Sequence, residues 1–495
     1  MKILLIYPRY PETFWSFRHA LKFIGKKEAF PPLGLLTVAS MLPKEWEKKL
    51  INENIRSIKN KDIKWADFVF ISAMIVQKKS VKEIIKRCKK LGTKVVAGGP
   101  LFTTGYQEFN DVDYFVLNEA EITLPLFLED LKKGRLEHIY TSEEKPDLSK
   151  TLIPQWDLIN FKDYATMSIQ YSRGCPFNCD FCDITLLYGR RQRTKSKEQI
   201  KKELDALYNQ GWRGEVFFVD DNFIGNKEKL KKEILPTIIK WQEEKNYPFL
   251  LNTEASINLV DDEKLMNMMV KSGFNTVFVG IETPNEESLA EANKIQNKNR
   301  DLVANIKKIQ SYGLQVQGGF IMGFDSDPPS IFKKQIDFIQ KSGVVVAMVG
   351  LLNALPHTRL WKRLKASGRL IKDTSGDNTD GSINFIPEMN RQKLVNGYRN
   401  VLKTIYSSKY HCQRIITFLK QYKRLKINKK FRFHLRFYHI KALLKSIWFL
   451  GIKEKGRLYY WKLFFWSLLN CPQFFPLAIT LSIYGFHFRK ISEKQ

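Results

Sequence analysis

Short apolar runs alternate with amphipathic segments along the first 130 residues. The helical segments include LGLLTVASML (33–42) and VKEIIKRCKKLG (81–92). The apolar runs, each of which ends at turn-forming or polar residues, are KILLIY (2–7), FVFISA (68–73), KVVAGG (94–99) and YFVLN (114–118). Alternation of this kind is typical of parallel βαβ units in an open sheet. We therefore predict an open parallel-sheet α/β domain over residues 1–135.

A second strand–helix series begins near residue 166. Its six apolar runs are MSIQYS, EVFFVDD, FLLNTEA, TVFVGIET, VQGGFIMG and AMVGLLNAL. Six such units are enough for a partial (β/α)6 barrel, which we place at 166–370. Barrel enzymes carry their chemistry at the carboxyl ends of the strands. The polar segment 136–165 between the two series is predicted to be a linker.

The pattern changes beyond residue 370, where we predict a helical, basic C-terminal domain over 371–495. Residues 401–460 contain sixteen Lys or Arg and a single acid, Glu454, interleaved with aromatic residues. Residues 463–486 carry no charge, but Pro472 and Pro476 interrupt them. Two interpretations of this apolar stretch stay open: an interfacial membrane element beside a basic face, or a pair of core helices.

The net charge and the first residues of the sequence bear on the partner and the location of the protein. The 495 residues carry a formal charge of +30, which suggests an anionic partner such as nucleic acid, a membrane surface or a phosphate-bearing ligand. The first residues, MKILLIYPRYP, lack the apolar core of a signal peptide. We therefore expect a cytoplasmic protein, with peripheral attachment to the inner face of the membrane as a further option.

Three of the six cysteines lie within eight residues. Cys175, Cys179 and Cys182 form a CxxxCxxC loop directly after a predicted strand. Thiolates are soft ligands that suit zinc or iron–sulfur clusters, and structural zinc requires four protein ligands. Because no fourth cysteine or histidine lies nearby, a four-iron cluster with one open iron is the favoured interpretation, and zinc is the weaker one. The pattern indicates a metal site in a reducing compartment.

The loop CPFNCDFC resembles the signature of the radical S-adenosylmethionine superfamily. This resemblance implies that the open iron of a [4Fe-4S] cluster binds S-adenosylmethionine and that the reduced cluster cleaves it to a 5′-deoxyadenosyl radical. It also implies cofactor contacts along the barrel: an aromatic by the adenine, carboxylate and amide groups near the methionine moiety, a ribose-binding Glu and glycines close to the adenine. The matching residues are Phe181, Asp220, Asn222, Glu282, Gly318 and Gly319. A capping turn at 220–222 and a rim ion pair at Glu282 are the alternatives.

An open α/β domain ahead of such a barrel resembles the cobalamin-binding subgroup, with YPRYPETFW, FPPLGLLTVASML, VVAGGP and NEAE in order. The resemblance implies a Rossmann-like domain that binds cobalamin at the carboxyl ends of its strands. The candidate residues there are Pro8, Ser72, Gly98, Gly99, Pro100, Glu119 and Glu121. The DxHxxG motif is missing and His19 is the only histidine before His138, so we expect a corrin without a histidine ligand. A degenerate domain that no longer binds cobalamin is the alternative.

Two further segments, ALPHTRLWKRLKASGRL (354–370) and NTDGSINFIPEMN (378–390), resemble the branch that includes hopanoid methylases. This resemblance implies methylation of an unactivated carbon in a small-molecule or lipid substrate, with an electron donor such as flavodoxin or ferredoxin. The alternatives are a radical RNA-modifying enzyme, a non-methylating cobalamin-dependent cyclase or oxidase, and a non-catalytic cobalamin- or membrane-binding protein. Nucleic acid is disfavoured as a partner, because neither an RNA-binding module nor a second CxxC pair is present.

Overall fold

The computed structural model describes residues 1–377, 379–423 and 437–494. Part of the basic run predicted for the C-terminal domain, residues 424–436, lies outside this range.

The N-terminal domain is built on an open sheet in which every neighbouring pair of strands is parallel. Its strands are β1 (Lys2–Tyr7), β2 (Glu47–Asn52), β3 (Phe68–Ser72), β4 (Lys94–Gly98), β5 (Tyr114–Val116) and β6 (Ile139–Tyr140). They are arranged in the order β2-β1-β3-β4-β5-β6. The helices are α1 (Arg18–Ile24), α2 (Leu33–Met41), α3 (Asn60–Trp65), α4 (Lys78–Lys90), α5 (Pro100–Gly105) and α6 (Ala120–Lys133). The predicted open parallel sheet is confirmed.

Two strands of this sheet were not expected from the sequence. Strand β2, with the sequence EKKLIN, lies at the sheet edge, where its first four side chains alternate between exposed and half-buried. Lysine and glutamate are tolerated there because only one neighbour covers the strand. Strand β6 pairs with β5 inside the segment predicted to be a linker. The sheet therefore extends a few residues past the predicted boundary at 135.

The second domain has the predicted six-stranded parallel sheet of a partial barrel. Its strands are β7 (Thr166–Ile169), β10 (Glu215–Phe218), β11 (Leu250–Glu254), β12 (Phe274–Glu282), β13 (Gln315–Met322) and β14 (Ala347–Leu351). They follow one another in chain order across the sheet. Strands β8 (Ser172–Arg173) and β9 (Arg193–Thr194) form a separate antiparallel ribbon after β7.

Helices separate the strands of this domain along the chain. They are α7 (Ile184–Leu187), α8 (Lys197–Asn209), α9 (Lys227–Lys229), α10 (Leu235–Glu244), α11 (Glu263–Lys271), α12 (Glu286–Glu291), α13 (Leu302–Ser311), α14 (Ile331–Ser342) and α15 (Arg359–Ala366). A π-helical turn, Leu230–Ile234, joins α9 to α10. Ser196 caps the start of α8, because its hydroxyl accepts a hydrogen bond from the Gln199 backbone amide.

The C-terminal domain is helical, as predicted. Its helices are α16 (Arg391–Ile405), α17 (Ser408–Gln421), α18 (Phe437–Ser446), α19 (Arg457–Asn470) and α20 (Phe475–Ser492), and a π-helical segment, Ile447–Lys453, extends α18. Short 3-10 turns occur at Phe14–Ser16, Ile75–Gln77, Tyr106–Glu108, Leu148–Lys150, Trp156–Leu158, Phe161–Asp163, Phe223–Asn226, Ile257–Asp261, Ile295–Asn297 and Pro472–Phe474.

The uncharged stretch 463–486 divides between two helices with different surroundings. Helix α20 packs on α1 and α17 and buries one long face, which includes Ala478, Leu481 and Phe488. For α20, the core-helix interpretation is therefore the one observed. Among the described residues, the structure contains no helix with the length and apolarity that crossing a bilayer requires.

Candidate active site

The cysteine loop, residues 174–189, is held at its base by close backbone contacts between its two ends. Gly174 has φ +93°, and a Cβ there would lie 2.9 Å from the carbonyl oxygens of Gly189 and Arg191. The Cys175 amide donates to the Gly189 carbonyl at 3.3 Å. All three cysteines are free and half-buried. The loop thus presents three thiols from a closed and well-supported turn.

The surroundings of the three cysteines can stabilise their thiols in the deprotonated, anionic form that binds metal. Burial raises the pKa of Cys182, while the nearby Lys294 ammonium acts in the opposite direction. The Gln296 amide nitrogen lies 3.7 Å from Cys179 Sγ. Metal binding removes the thiol protons, so an adjacent cation and an amide donor stabilise the bound form. Among the described residues, no three His, Cys, Asp or Glu side chains form a group that could hold a single metal ion.

Two consecutive carboxyl groups at the end of β10 hold the start of the cysteine loop. Asp220 is 1% exposed and accepts hydrogen bonds from the Ser172 amide and hydroxyl and, at 3.1 Å, from the Tyr171 amide. Asp221 accepts from the Gly174 amide at 3.1 Å. Burial raises the pKa of Asp220 to about 7. Asp220 therefore supports the loop backbone, and its predicted contact with S-adenosylmethionine stays a prediction.

Asn222 lies beside a cleft at the edge of the cysteine loop. Its side-chain oxygen accepts a hydrogen bond from the Ser256 amide at 3.2 Å, and the residue is 3% exposed. The cleft has a volume of about 570 Å³, and its lining includes Pro176, Phe177, Gln192, Asn222, Ser256 and Asn258. A polar cleft at this position can accept the charged end of a cofactor.

Strand β12 ends at a bulge that places Glu282 beside the loop. Glu282 has φ +65° and forms an ion pair with Lys294 at 2.6 Å, so the rim ion pair weighed from the sequence is present. The Lys294 ammonium also lies 5.9 Å from the centre of the Phe181 ring. Lys294 was not anticipated from the sequence. The ribose contact predicted for Glu282 would require this ion pair to be shared or displaced.

Gly318 and Gly319 lie in the middle of β13, and neighbouring side chains leave no room for a Cβ. A Cβ at Gly318 would lie 2.8 Å from the Phe320 ring, and one at Gly319 would lie 2.9 Å from the Phe278 ring. Larger residues would displace these aromatic rings. The glycines are thus required for the packing of the barrel, and their predicted approach to the adenine stays a prediction.

The residues predicted to hold cobalamin lie along the carboxyl edge of the N-terminal sheet. Gly99 has φ +87°, and a Cβ there would lie 2.5 Å from the Ser72 hydroxyl. A Cβ at Gly98 would lie 2.6 Å from the Val116 carbonyl. Pro100 then begins α5. The ends of β3, β4 and β5 thus form a closely packed backbone edge, the kind of surface that a flat corrin ring can approach.

Two other observations bear on the corrin site. The Pro8 carbonyl, directly after β1, accepts a hydrogen bond from the side-chain amide of Gln77 at 2.5 Å. This bond ties the end of β1 to the loop after β3. His19 lies away from this edge, in contact with Glu12 and with His487 of α20. His19 is therefore engaged elsewhere.

A buried ion-pair network joins the N-terminal sheet to the ribbon that carries the cysteine loop. Arg173, on β8, donates to Glu119 at 2.7 Å and to Glu121 at 2.7 and 3.0 Å. Arg193, on β9, donates to Glu119 at 2.8 and 3.0 Å. The four side chains are only 3–15% exposed. Glu119 and Glu121 were predicted to contact cobalamin. In the structure they connect the carboxyl edge of the N-terminal sheet to the start of the cysteine loop.

Sequence reasoning missed both arginines of this network. Arg173 directly precedes the cysteine loop, and Arg193 lies in the basic stretch RRQRTKS (190–196) that directly follows it. Their positions beside the loop were a usable signal. The identity of their partners was not, because Glu119 is 54 residues from Arg173 in the chain.

Three family models match consecutive parts of the chain. A B12 binding domain matches residues 27–128, the radical SAM superfamily matches 169–348, and a domain of unknown function, DUF4070, matches 358–495. These matches coincide with the open sheet, the partial barrel and the helical C-terminal part.

Two relatives match all or most of the chain. The chain is 42% identical to an uncharacterized methyltransferase of Synechocystis sp., over all of this chain and 92% of that protein. It is 36% identical to the hopanoid C-2 methylase of Rhodopseudomonas palustris, over 78% of this chain and 73% of that protein. The chain belongs to the cobalamin-binding radical S-adenosylmethionine methyltransferases, in the branch that contains the hopanoid methylases. The cofactors of this family are a [4Fe-4S] cluster, S-adenosylmethionine and cobalamin.

Solved structures show the same fold at low sequence identity. The cobalamin-dependent radical enzyme OxsB aligns with a TM-score of 0.62 and 15% identity over 100% of this chain and 80% of that one. The methyltransferase TsrM from Kitasatospora setae aligns with a TM-score of 0.59 and 15% identity over 80% of this chain and 85% of that one.

Proposed function

We propose that this enzyme methylates an unactivated carbon of a lipid or small-molecule substrate bound between the cysteine loop and the carboxyl edge of the N-terminal sheet. The Arg173–Glu119–Glu121 network is the observation that supports this most, because it fixes the two cofactor regions relative to one another. The 36% identity to a hopanoid C-2 methylase favours an apolar, polycyclic type of substrate.

Each cofactor has a set of candidate residues that fits its chemistry. Cys175, Cys179 and Cys182 would ligate three irons of the cluster, and Asn222 and Glu282 would contact the methionine and ribose parts of S-adenosylmethionine. The edge formed by Ser72, Gly98, Gly99 and Pro100 would support the corrin. When bound, these groups supply carbon radical formation and methyl transfer. The protein would hold the bound cofactors in fixed positions relative to one another and exclude water from the space between them.

Aromatic side chains favour an apolar substrate in this space. Phe30, in the loop before α2, packs against Phe217 of β10 with ring centres 5.6 Å apart. Trp15 packs against Phe278 of β12 at 5.4 Å. Segments of the cobalamin domain therefore bring aromatic rings to the barrel strands. Such rings bury apolar carbon well and offer few groups that a radical would attack in place of the substrate.

The electron donor is proposed to be an acidic redox protein of the flavodoxin or ferredoxin type. A second cleft, of about 640 Å³, flanks the ribbon beside the cysteine loop, and Lys145, Arg190, Arg191 and Lys229 are among its lining residues. A positive cleft close to the cluster loop would steer such a donor towards the cluster. For location, we propose a cytoplasmic enzyme attached peripherally to the inner face of the membrane.

The test is a comparison of lipids and small metabolites between a deletion strain and the same strain expressing the wild-type enzyme or Cys179→Ala. Cells receive methionine that is isotopically labelled on its methyl group. We expect one product class that carries the label only with the wild-type enzyme, together with an unlabelled precursor that is one methylene lighter and accumulates in the other two strains. Identical profiles in all three strains would contradict methylation, and labelled RNA nucleosides would favour the RNA-modifying alternative.

A further inference from the structure

Helix α18, its π-helical extension and helix α19 form a hairpin, residues 437–470, which we call the C-terminal hairpin. Its inner side packs on α1 and α20. Within it, the Ser446 and Tyr460 hydroxyls lie 2.8 Å apart, and the Trp461 indole donates to the Gly451 carbonyl at 3.0 Å. The hairpin is therefore a packed unit with a defined inner and outer side.

The outer side of the hairpin is unusually apolar. Nine of the nineteen large apolar side chains that are exposed among the described residues lie between 440 and 469. They are Ile440, Leu444, Trp448, Phe449, Ile452, Leu458, Phe465, Leu468 and Leu469. Leu458 and Leu469 are 77% and 79% exposed. Concentrations of this kind mark interaction surfaces, whereas single exposed apolar residues are ordinary.

The spacing shows that this side is a helix face of its own. Ile440, Leu444, Trp448 and Ile452 recur every four residues and so lie along one face of α18 and its extension. The buried positions of the same helix, such as Ala442 and Leu450, lie on a different face. The helix therefore has two apolar faces, of which the fold covers one.

The charges around this face identify the kind of partner. The exposed residues Lys441, Lys453, Lys455, Arg457 and Lys462 are interleaved with the apolar ones. The only acid in the hairpin sequence is Glu454, which is paired with Arg489 and Lys490 at 3.5 Å each. The Lys453 ammonium lies 5.1 Å from the centre of the Trp448 ring. Apolar and aromatic side chains rimmed by unopposed cations complement a membrane that carries anionic headgroups.

We propose that the outer side of the C-terminal hairpin docks this enzyme onto an anionic lipid bilayer, with its apolar side chains inserted at the level of the headgroups and its lysines against the lipid phosphates. This inference assigns the surface behind the peripheral attachment proposed above and rests on that proposal. Of the stretch 463–486 considered from sequence, the hairpin contains only the part that lies in α19, because α20 is committed to the core. A lipid substrate would then be taken directly from the membrane to which the enzyme is bound.

The test is co-sedimentation of the full-length holoenzyme with vesicles of phosphatidylcholine alone or mixed with phosphatidylglycerol. We expect binding to the anionic vesicles only, and at least a tenfold lower partition coefficient for Leu444→Gln/Leu458→Gln. The matched control is Leu126→Gln/Leu152→Gln, which replaces leucines that are 46% and 48% exposed elsewhere on the surface. Lys453→Gln/Lys455→Gln should weaken binding mainly at low salt.

Several outcomes would overturn the proposal. Unchanged binding of the hairpin variant, or equal loss in the control, would show that another surface binds the vesicles. If wild-type protein ignores vesicles but the hairpin variant changes from dimer to monomer in sedimentation velocity, the surface contacts a second copy of the chain. Circular dichroism and cofactor absorbance check the folding of each variant. Binding is measured without turnover, so the inactive Cys179→Ala protein should bind vesicles normally. A failure of the methylation proposal would therefore be distinguishable from a failure of the membrane-docking proposal.

Discussion

The ion-pair network between the cobalamin domain and the cysteine loop leads to a quantitative prediction. Arg173→Met would leave Glu121 buried beside a neutral side chain, with the Thr151 hydroxyl at 3.3 Å and a backbone amide as its donors, while Glu119 would keep Arg193. Breaking one partner of a buried pair costs about 3–5 kcal/mol. Glu121 is 14% exposed and so keeps some contact with water. We therefore expect a loss at the lower end of this range, about 3 kcal/mol in the free energy of unfolding.

A double-mutant cycle isolates the pair. In Arg173→Met/Glu121→Gln no charge is stranded at position 121, so the double variant should be more stable than the sum of the single losses implies. We expect a coupling energy of about 2 kcal/mol. The measurement is anaerobic urea unfolding of the holoenzyme, followed by circular dichroism and cofactor absorbance.

The control cycle uses a pair with similar geometry but greater exposure. Arg300 donates two hydrogen bonds to Asp261 at 2.7 and 2.8 Å, and the side chains are 25% and 47% exposed. Arg300→Met and Asp261→Asn should show a coupling of about 0–1 kcal/mol. A coupling at 173 and 121 that is no larger than this control value would refute the argument that burial makes the network strong.

The same variants make a prediction about pH. Burial alone raises the pKa of Glu121, but the hydrogen bonds and charge of Arg173 outweigh it, so the pKa lies below its ordinary value. A lowered pKa contributes stability above the unfolded value, near pH 4.3, which is lost as the pH falls. In Arg173→Met the burial effect is opposed only by the hydrogen bonds from Thr151 and a backbone amide, so the pKa should rise and the stability that this group contributes above about pH 4.3 should shrink. An unchanged slope would contradict the assignment.

Three further predictions concern the cofactor sites and the C-terminal core. Cys179→Ala should lose most of the about four irons that the reconstituted wild-type chain binds, measured by iron analysis and absorbance; full retention would exclude Cys179 as a ligand. Gly99→Ala, at φ +87° and with its Cβ 2.5 Å from the Ser72 hydroxyl, should lower cobalamin uptake and cost about 1–3 kcal/mol. The control Gly34→Ala, in α2 and with open space around it, should leave cobalamin uptake unchanged and should not lower stability. Burial, supported by the charge of Arg414, lowers the pKa of His411 to about 3, so this residue should contribute about 2 kcal/mol to the loss of stability between pH 7 and pH 5. His411→Gln should make the pH dependence shallower than that of the wild type by this amount, and an equally steep slope in this variant would contradict the prediction.

Most of the fold could be predicted because its strands are local apolar runs. Strands that are covered on both faces, such as β3 and β4, consist almost entirely of buried residues and are visible in the sequence. Strand β2 was missed because an edge strand can carry lysines on its exposed side. The two-residue strand β6 was missed because its pairing with β5 is decided by the neighbouring strand and not by its own composition.

The candidate site was predictable only where its residues are close in the chain. The three cysteines occupy eight consecutive positions, so their spacing alone indicates a cluster loop. The pairing of Lys294 with Glu282 and that of Arg173 with Glu119 carry no such signal, because these partners meet through the barrel rim and the domain interface. The sequence likewise left the role of Glu282 open between a ribose contact and an ion pair.

The sequence by itself determined the local patterns: the alternation that forms two parallel sheets, the cysteine spacing and the excess of positive charge. The tertiary structure decided which apolar segments are buried. Helices α19 and α20 are similarly apolar, yet α20 buries Leu481 and Phe488 while α19 leaves Leu458 and Leu469 in contact with solvent. The reason is physical. Apolar side chains favour burial in any surroundings that exclude water, but only the packed fold determines which helix faces find a partner within the chain and which must find one outside it.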